Sequence, residues 1–297
     1  MPTYHVAIFQ DTEKMCREND RLRESIKLAS ENQKLILEGD AVPAIEKNKY
    51  AEAVKVVVSK KRTFEAASSY KGMRVAVHNF ASATNPGGGV VKGSTAQEEC
   101  LCRCSTLYSM LNTKEMWNGF YAPHRNAADP IHNDDIIYTP GVVVFKTDTA
   151  APVVMPETQW HEVDVITCAA PNLRDNPSNP YNKNDGNQKA KISDRELLEL
   201  HEKRLRRILD VAAHNGDDVV ILGAFGCGAF QNKPEIVARA AANVIGDYLY
   251  LFKIVEFAVY CSPKDSRNYE HRELPDRNHR ALPRRPSRFS HGTYRQV

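Results

Sequence analysis

Two clusters in this sequence combine residue types that could do chemistry. The first is Gly87-Gly88-Gly89, followed after seven residues by Gln97-Glu98-Glu99. Consecutive glycines reach backbone angles closed to other residues and let a ligand approach the main chain. The second is Gly223-Ala224-Phe225-Gly226-Cys227-Gly228-Ala229-Phe230, between the apolar run Val219–Leu222 and Pro234. Proline suits the first turn of a helix, where its missing N–H is no loss. Both clusters therefore read as strand, glycine loop, helix. Loop amides beside a helix N-terminus suit a phosphate, and two such units could grip a diphosphate from both sides. The first loop is not a P-loop, since no Gly-Lys-Ser/Thr follows, and it lacks the Gly-x-Gly-x-x-Gly dinucleotide pattern.

Glu98 and Glu99 open the helix that follows the triglycine. Adjacent helical residues point about 100° apart. They are not expected to converge on one sugar as the paired carboxylates of a retaining glycosidase do. One acid–base and one substrate-positioning residue are expected instead. Thr95-x-x-Glu98 also fits a capping box, which accounts for Glu98 as well as chemistry does on local pattern. The helix dipole should lower both carboxyl pKa values, the wrong direction for a general acid. Protonation of Glu99 would then need the charge of a bound diphosphate.

Other candidates carry less. Cys100, Cys102 and Cys104 alternate, but on a helix 102 leaves the face shared by 100 and 104, and no second Cys/His cluster completes a metal site. Small buried side chains are expected there, with no metal and no cofactor. Cys227 sits where a thiol can be activated, yet no His neighbours it in sequence, so a small loop side chain is expected. His161, His201 and His214 read as surface or helix residues, and Phe225 as core. Trp117, Phe120 and Tyr121 are expected to pack a loop in preference to stacking on adenine.

Helices and strands must position these groups. Arg74–Asn79, Val142–Phe145, Val163–Ala169, Asp218–Gly223 and Ile254–Tyr260 are rich in β-branched residues and bounded by turn formers. Helical periodicity covers Gln97–Leu111, Asp194–His214 and Pro234–Phe252. Earlier, helices are expected over Thr12–Glu38 and Ala44–Ser59, with no strand before residue 70. Two long loops, Asn112–Asp135 and Asn172–Ala190, are expected to be functional or disordered. The pattern implies a layered α/β domain with a mixed sheet. Its boundaries fall at 1–69 for a helical extension packed on the domain, 70–272 for the catalytic domain, and 273–297 for a disordered tail.

The chain has 297 residues, 42% hydrophobic and 26% charged, with a net charge of +3. Seven Arg against two acids after residue 270 make the tail basic and leave the rest slightly acidic. The tail could meet a polyanion, nucleic acid among them; an inert tail is slightly preferred. Seven cysteines, an odd number, suit reduced thiols in a cytoplasmic protein, or a nuclear one in a eukaryote. No apolar run is long enough to span a bilayer, and neither a secretory signal nor membrane association is expected. A monomer is expected.

The Gly-Gly-Gly-x7-Gln-Glu-Glu pattern resembles the signature of the poly(ADP-ribose) glycohydrolase family. Its microbial branch is matched by Asn79–Pro86 before the glycines, Leu101–Tyr108 after the acids, and by Tyr138–Val142 and Ala169–Asn172. The similarity runs over roughly residues 10–270. It implies a three-layer α/β/α macrodomain with an N-terminal helical extension. It also implies Glu99 as catalytic acid–base, Glu98 orienting the ribose, and a substrate site including Asn85, Gly87, Gly88, Gly89 and Gln97. The second loop, from Gly223 through Phe225, Gly226, Cys227, Gly228 and Ala229 to Phe230, would wrap the diphosphate, with Phe230 near the reacting ribose. The substrate would be poly(ADP-ribose) or an ADP-ribosylated macromolecule, and the product ADP-ribose. A hydrolase of mono-ADP-ribosylated protein or nucleic acid, and a non-catalytic ADP-ribose reader, remain open. A reader has no need of the acid.

Overall fold

In the computed structural model, residues 2–41, 45, 48–180, 182–261 and 266–270 are described. The tail expected from residue 273 lies outside them. The chain opens with α1 (Pro2–Glu18) and α2 (Asp20–Asn32). The single helix expected over 12–38 is therefore two, starting already at Pro2. The break is a capping site: Asn19 leaves the helical conformation and its Oδ1 accepts from the Leu22 amide at 3.1 Å. Next comes β1 (Lys34–Ile36), not more helix. The Gln33 side chain anchors the change of direction by donating to Thr139 Oγ1 at 2.8 Å.

The helix expected over 44–59 is also corrected. Residues 48–54 are irregular and β2 (Lys55–Ser59) is a strand. Three successive valines favour a pleated surface over a helix, and the parallel partner that uses them is remote in sequence. The first 69 residues thus supply both edge strands of the sheet as well as helices.

There follow α3 (Thr63–Ala67), β3 (Val75–Ala81), α4 (Gln97–Cys104) and α5 (Leu107–Leu111). The segment expected as a long loop after residue 111 is mostly helical, with α6 (Lys114–Met116), a π turn at Trp117–Tyr121 and α7 (Ala122–Ala127). Phe120 and Tyr121 are fully buried there. The described residues end with β4 (Ile136–Val144), β5 (His161–Ala169), α8 (Asp194–His214), β6 (Val219–Leu222), α9 (Pro234–Ile245), β7 (Ile254–Ala258) and a turn, α10 (Arg267–Glu270).

One mixed sheet has the order β1-β4-β5-β3-β6-β7-β2. The β1–β4 and β4–β5 pairs are antiparallel; the other four are parallel. Alternating strand residues feed two cores. Val75, Val77, Val219 and Ile221 pack toward α1 to α5, while Ala76, Val220 and Leu222 pack toward α8 and α9. The result is three layers, helices–sheet–helices. Because β5, β3, β6 and β7 run parallel, the segments that leave them emerge at one edge of the sheet. Ligands of open α/β sheets bind at that carboxyl edge.

Candidate active site

A cavity of about 860 Å³ lies at this edge, lined by segments following all five parallel strands, β2 included. Gly88, Gly89, Gln97, Glu98, Glu99, Gly226, Gly228, Ala229 and Phe230 all border it. Among the expected residues, Asn85, Gly87, Gly223, Phe225 and Cys227 do not. Asn85 and Gly87 support the loop from behind. The Arg125 guanidinium donates to Asn85 Oδ1 and Thr84 O, and Gly87 packs on Tyr108 and Cys102. Phe225 is core, with its ring 4.4 Å from that of His78. Gly223 and Cys227 border a separate cavity of about 50 Å³. Burial pushes the Cys227 thiol up to about 12, so it is not an activated nucleophile.

The two acids do converge, contrary to the helical-wheel expectation. A methyl group placed on Gly88 would meet Glu99 Oε1 at 2.5 Å and Glu98 Oε2 at 3.1 Å. The 100° separation holds at the Cα atoms, but two flexible side chains and a loop folded back over the helix start bring the carboxyls onto one residue. Gly88 has φ +59°, which the loop requires and a side chain would resist.

Glu98 is not a helix cap. The cap position is Ala96, with no side-chain hydrogen bond, so the Thr95 capping box does not form. Glu98 Oε2 instead accepts from the Ser82 amide at 2.8 Å, and Oε1 from Asn79 Nδ2 at 3.3 Å. Glu99 Oε1 accepts from the Gly89 amide at 2.8 Å, while Oε2 is buried with no partner among the described residues. Gln97 ties the helix start to β3. Its side chain accepts from the Phe80 amide at 2.9 Å and donates to His78 O at 2.7 Å.

The glycine loops therefore differ. In the first, the Gly88, Gly89 and Val90 amides go to Asn85 O, Glu99 and Gly87 O, so they build the acid site and do not face a phosphate. In the second, the amides of Gly226, Gly228, Ala229 and Phe230 have no hydrogen-bond partner among the described residues, and all four residues line the cavity. Asn232 braces that loop, donating to Pro171 O at 2.7 Å and meeting His201 Nε2 at 2.9 Å. His201 lies in α8 but is buried, and burial lowers its pKa to about 4, leaving it neutral.

Burial overrides the helix dipole. It raises the Glu99 carboxyl above its ordinary value, against the opposing Gly89 amide. It raises Glu98 further, helped by the neighbouring Glu99 charge. Burial thus favours the protonated form of both carboxyls before any substrate arrives.

Sequence reasoning missed Phe80, Ser82, Arg62, Arg103, Arg174, Asn182 and Tyr260, which also line the cavity. Arg174 and Asn182 belong to the loop 172–190, whose length is expected to mean function or disorder. Tyr260 follows a parallel strand directly. Nothing local marks Arg62, whose guanidinium lies 4.0 Å from the Tyr260 ring. Cys100, Cys102 and Cys104 are buried, and no group of metal-binding side chains occurs among the described residues.

Paired buried acids under a glycine loop, beside a second loop with open amides, define a glycosidase site on a macrodomain-like fold. The family described as the catalytic domain of microbial-type PARG matches residues 5–147. Poly(ADP-ribose) glycohydrolase from Deinococcus radiodurans, solved in complex with ADP-ribose, is 31% identical, with TM-score 0.70 over 84% of this chain and 96% of that one. The Thermomonospora curvata enzyme is 27% identical, with TM-score 0.75 over 90% of this chain and 97% of that one. It has also been solved with the inhibitor ADP-HPD, at TM-score 0.73, 27% identity and the same coverage. No curated protein matches the chain. The chain belongs to the microbial-type poly(ADP-ribose) glycohydrolase family, whose members are glycosidases.

Proposed function

We propose that this protein hydrolyses the O-glycosidic ribose–ribose bonds of poly(ADP-ribose) and releases ADP-ribose, with Glu99 as general acid and then base. The observation that carries this is the unpartnered Oε2 of Glu99, on a carboxyl whose pKa burial raises and whose other oxygen the Gly89 amide fixes. An oxygen in that state can hold a proton toward a leaving group. The open amides of Gly226 to Phe230 receive the diphosphate. Glu98, held by Ser82 and Asn79, accepts from a ribose hydroxyl.

Glu99 donates its proton to the departing 2′-oxygen as the bond to the ribose anomeric carbon breaks. The ribose gains oxocarbenium character, which the diphosphate and Glu98 stabilise. Water then adds to that carbon and its proton returns to Glu99. Carboxylate and diphosphate suffice for each step.

Residues 70–272 form the catalytic unit in this reading, with residues 1–69 completing its sheet edges. The odd count of seven cysteines supports action in the reducing cytoplasm, and the protein is read as a monomer. No helix among the described residues is long and apolar enough to cross a membrane. The test is to incubate the protein separately with poly(ADP-ribose), mono-ADP-ribosylated protein and mono-ADP-ribosylated DNA, and to resolve the products. ADP-ribose released from the polymer alone is expected. Release only from a mono-modified substrate, or tight ADP-ribose binding with no release, overturns the reading.

A further inference from the structure

Asn182 is buried, at 6% exposure, in the segment between β5 and α8 that the mechanism above does not use. It borders the cavity, and its Nδ2 has no hydrogen-bond partner among the described residues. The surrounding network fixes which way its amide faces. Ser82 Oγ accepts from the Thr84 and Asn85 amides, at 3.3 and 3.1 Å, which fills its lone pairs. Its one hydrogen is left to donate, and it does so to Asn182 Oδ1 at 2.7 Å. Thr84 Oγ1 donates to the same oxygen at 3.0 Å. With Oδ1 facing the two hydroxyls, Nδ2 is turned away from them. An uncompensated buried donor is costly, and sites built to hold a polar ligand are where such groups persist.

Ser82 also places this donor along the cavity. Its hydroxyl holds Asn182 while its amide holds Glu98 Oε2 at 2.8 Å. Asn182 and Glu98 are therefore fixed by one residue, at the acid end of the cavity. The segment is itself anchored. Asp185 accepts from the Asn172 side chain at 2.6 Å and lies 2.7 Å from His132 Nε2, all three buried.

We propose that Asn182 is a substrate-binding residue whose Nδ2 donates to an oxygen of the reacting ribose, so that the β5–α8 segment contributes specificity alongside the two glycine loops. This rests on the functional reading above, but its test does not use turnover. Titration calorimetry compares ADP-ribose with ADP, which lacks that ribose, on wild type and Asn182→Asp. The variant keeps an acceptor for Ser82 and Thr84, loses the donor and carries a carboxylate charge near neutral pH. ADP-ribose binding should weaken roughly ten- to hundred-fold near neutral pH, the range expected for one buried unpaired contact, with ADP binding and Tm nearly unchanged. The loss should shrink as pH falls through the carboxyl range, because the introduced carboxyl donates again once protonated. Unchanged ADP-ribose affinity overturns the inference alone. So does equal weakening toward ADP, which would put the contact on a phosphate, or a loss that low pH does not relieve. A wild-type protein that binds no ADP-ribose overturns the functional reading with it.

Discussion

Glu98 and Glu99 have a counterpart at the opposite edge of the same sheet. Asp164 at the start of β5 and Asp217 just before β6 are also buried neighbours. Burial and the Asp164 charge push the Asp217 carboxyl up to about 9. The two pairs are alike in burial, and Asp217 shares the upward shift of the glutamates. Their surroundings differ. Asp164 accepts from Tyr138 Oη at 2.6 Å, the Gly141 amide at 2.9 Å and Arg74 at 2.8 Å, and Arg74 lies 3.6 Å from Asp217. Neither aspartate borders the cavity. Both Asp217 oxygens lack a hydrogen bond among the described residues, as Glu99 Oε2 does, but only the glutamates face the cavity and make no ion pair among those residues. A raised carboxyl pKa thus marks burial, and only the unpartnered atom facing a cavity separates a reactive acid from a structural one.

The largest expected effect is on that open oxygen. Glu99→Gln should lower kcat/KM on poly(ADP-ribose) by about 10³-fold, within the range for loss of a general acid–base, while calorimetry finds ADP-ribose binding retained. In wild type, kcat/KM should fall as pH rises through the raised Glu99 pKa, and the variant's residual rate should lack that limb. A comparable loss of kcat/KM in Asp217→Asn would break the comparison.

Gly88→Ala comes next. Its methyl group would sit 2.5 Å from Glu99 Oε1 at a φ of +59°. Displacing the carboxyl should cost roughly 10- to 100-fold in kcat/KM, since misplacement of about 1 Å is felt at that level, with about 1 kcal/mol lost in denaturant unfolding.

Asp217→Asn should leave activity alone and change stability instead. Asp217 binds its proton more tightly folded than unfolded, so its contribution is full below the ordinary carboxylate range and is lost as pH rises toward about 9. The variant should therefore raise Tm by a few degrees near neutral pH and flatten its pH dependence. A Tm that falls at neutral pH would make the Arg74 pairing the dominant interaction there.

The smallest effect concerns the discarded capping role. Thr95→Ala should change stability by less than about 0.5 kcal/mol, because the helix begins after Ala96 with no side-chain cap. A loss near 1 kcal/mol, the usual worth of an N-cap, would restore it.

Much of the frame was legible locally. Central strands announced themselves through β-branched runs, and α8 through its periodicity. The edges were not. Leu35 and Ile36 continue a helical spacing, and β2 needs β7, two hundred residues on, before its valines have a partner. In the site, the glycine–glutamate spacing located the acids but misjudged their geometry and their pKa direction. A helical wheel contains no loop folded over the helix start, and a dipole argument contains no burial.

The sequence by itself determined which groups could react: a triglycine, two adjacent acids, and a second glycine loop after a strand, all read from local residue chemistry. Tertiary structure decided what each does. Parallel β5, β3, β6 and β7 carry their following segments to one edge. There Ser82 and Gly89 take hold of the acids, the second loop keeps its amides open, and Asn182 is brought beside Glu98. Those contacts join residues that sequence order keeps apart, and burial, which sets the protonation of Glu99, exists only once the layers have packed.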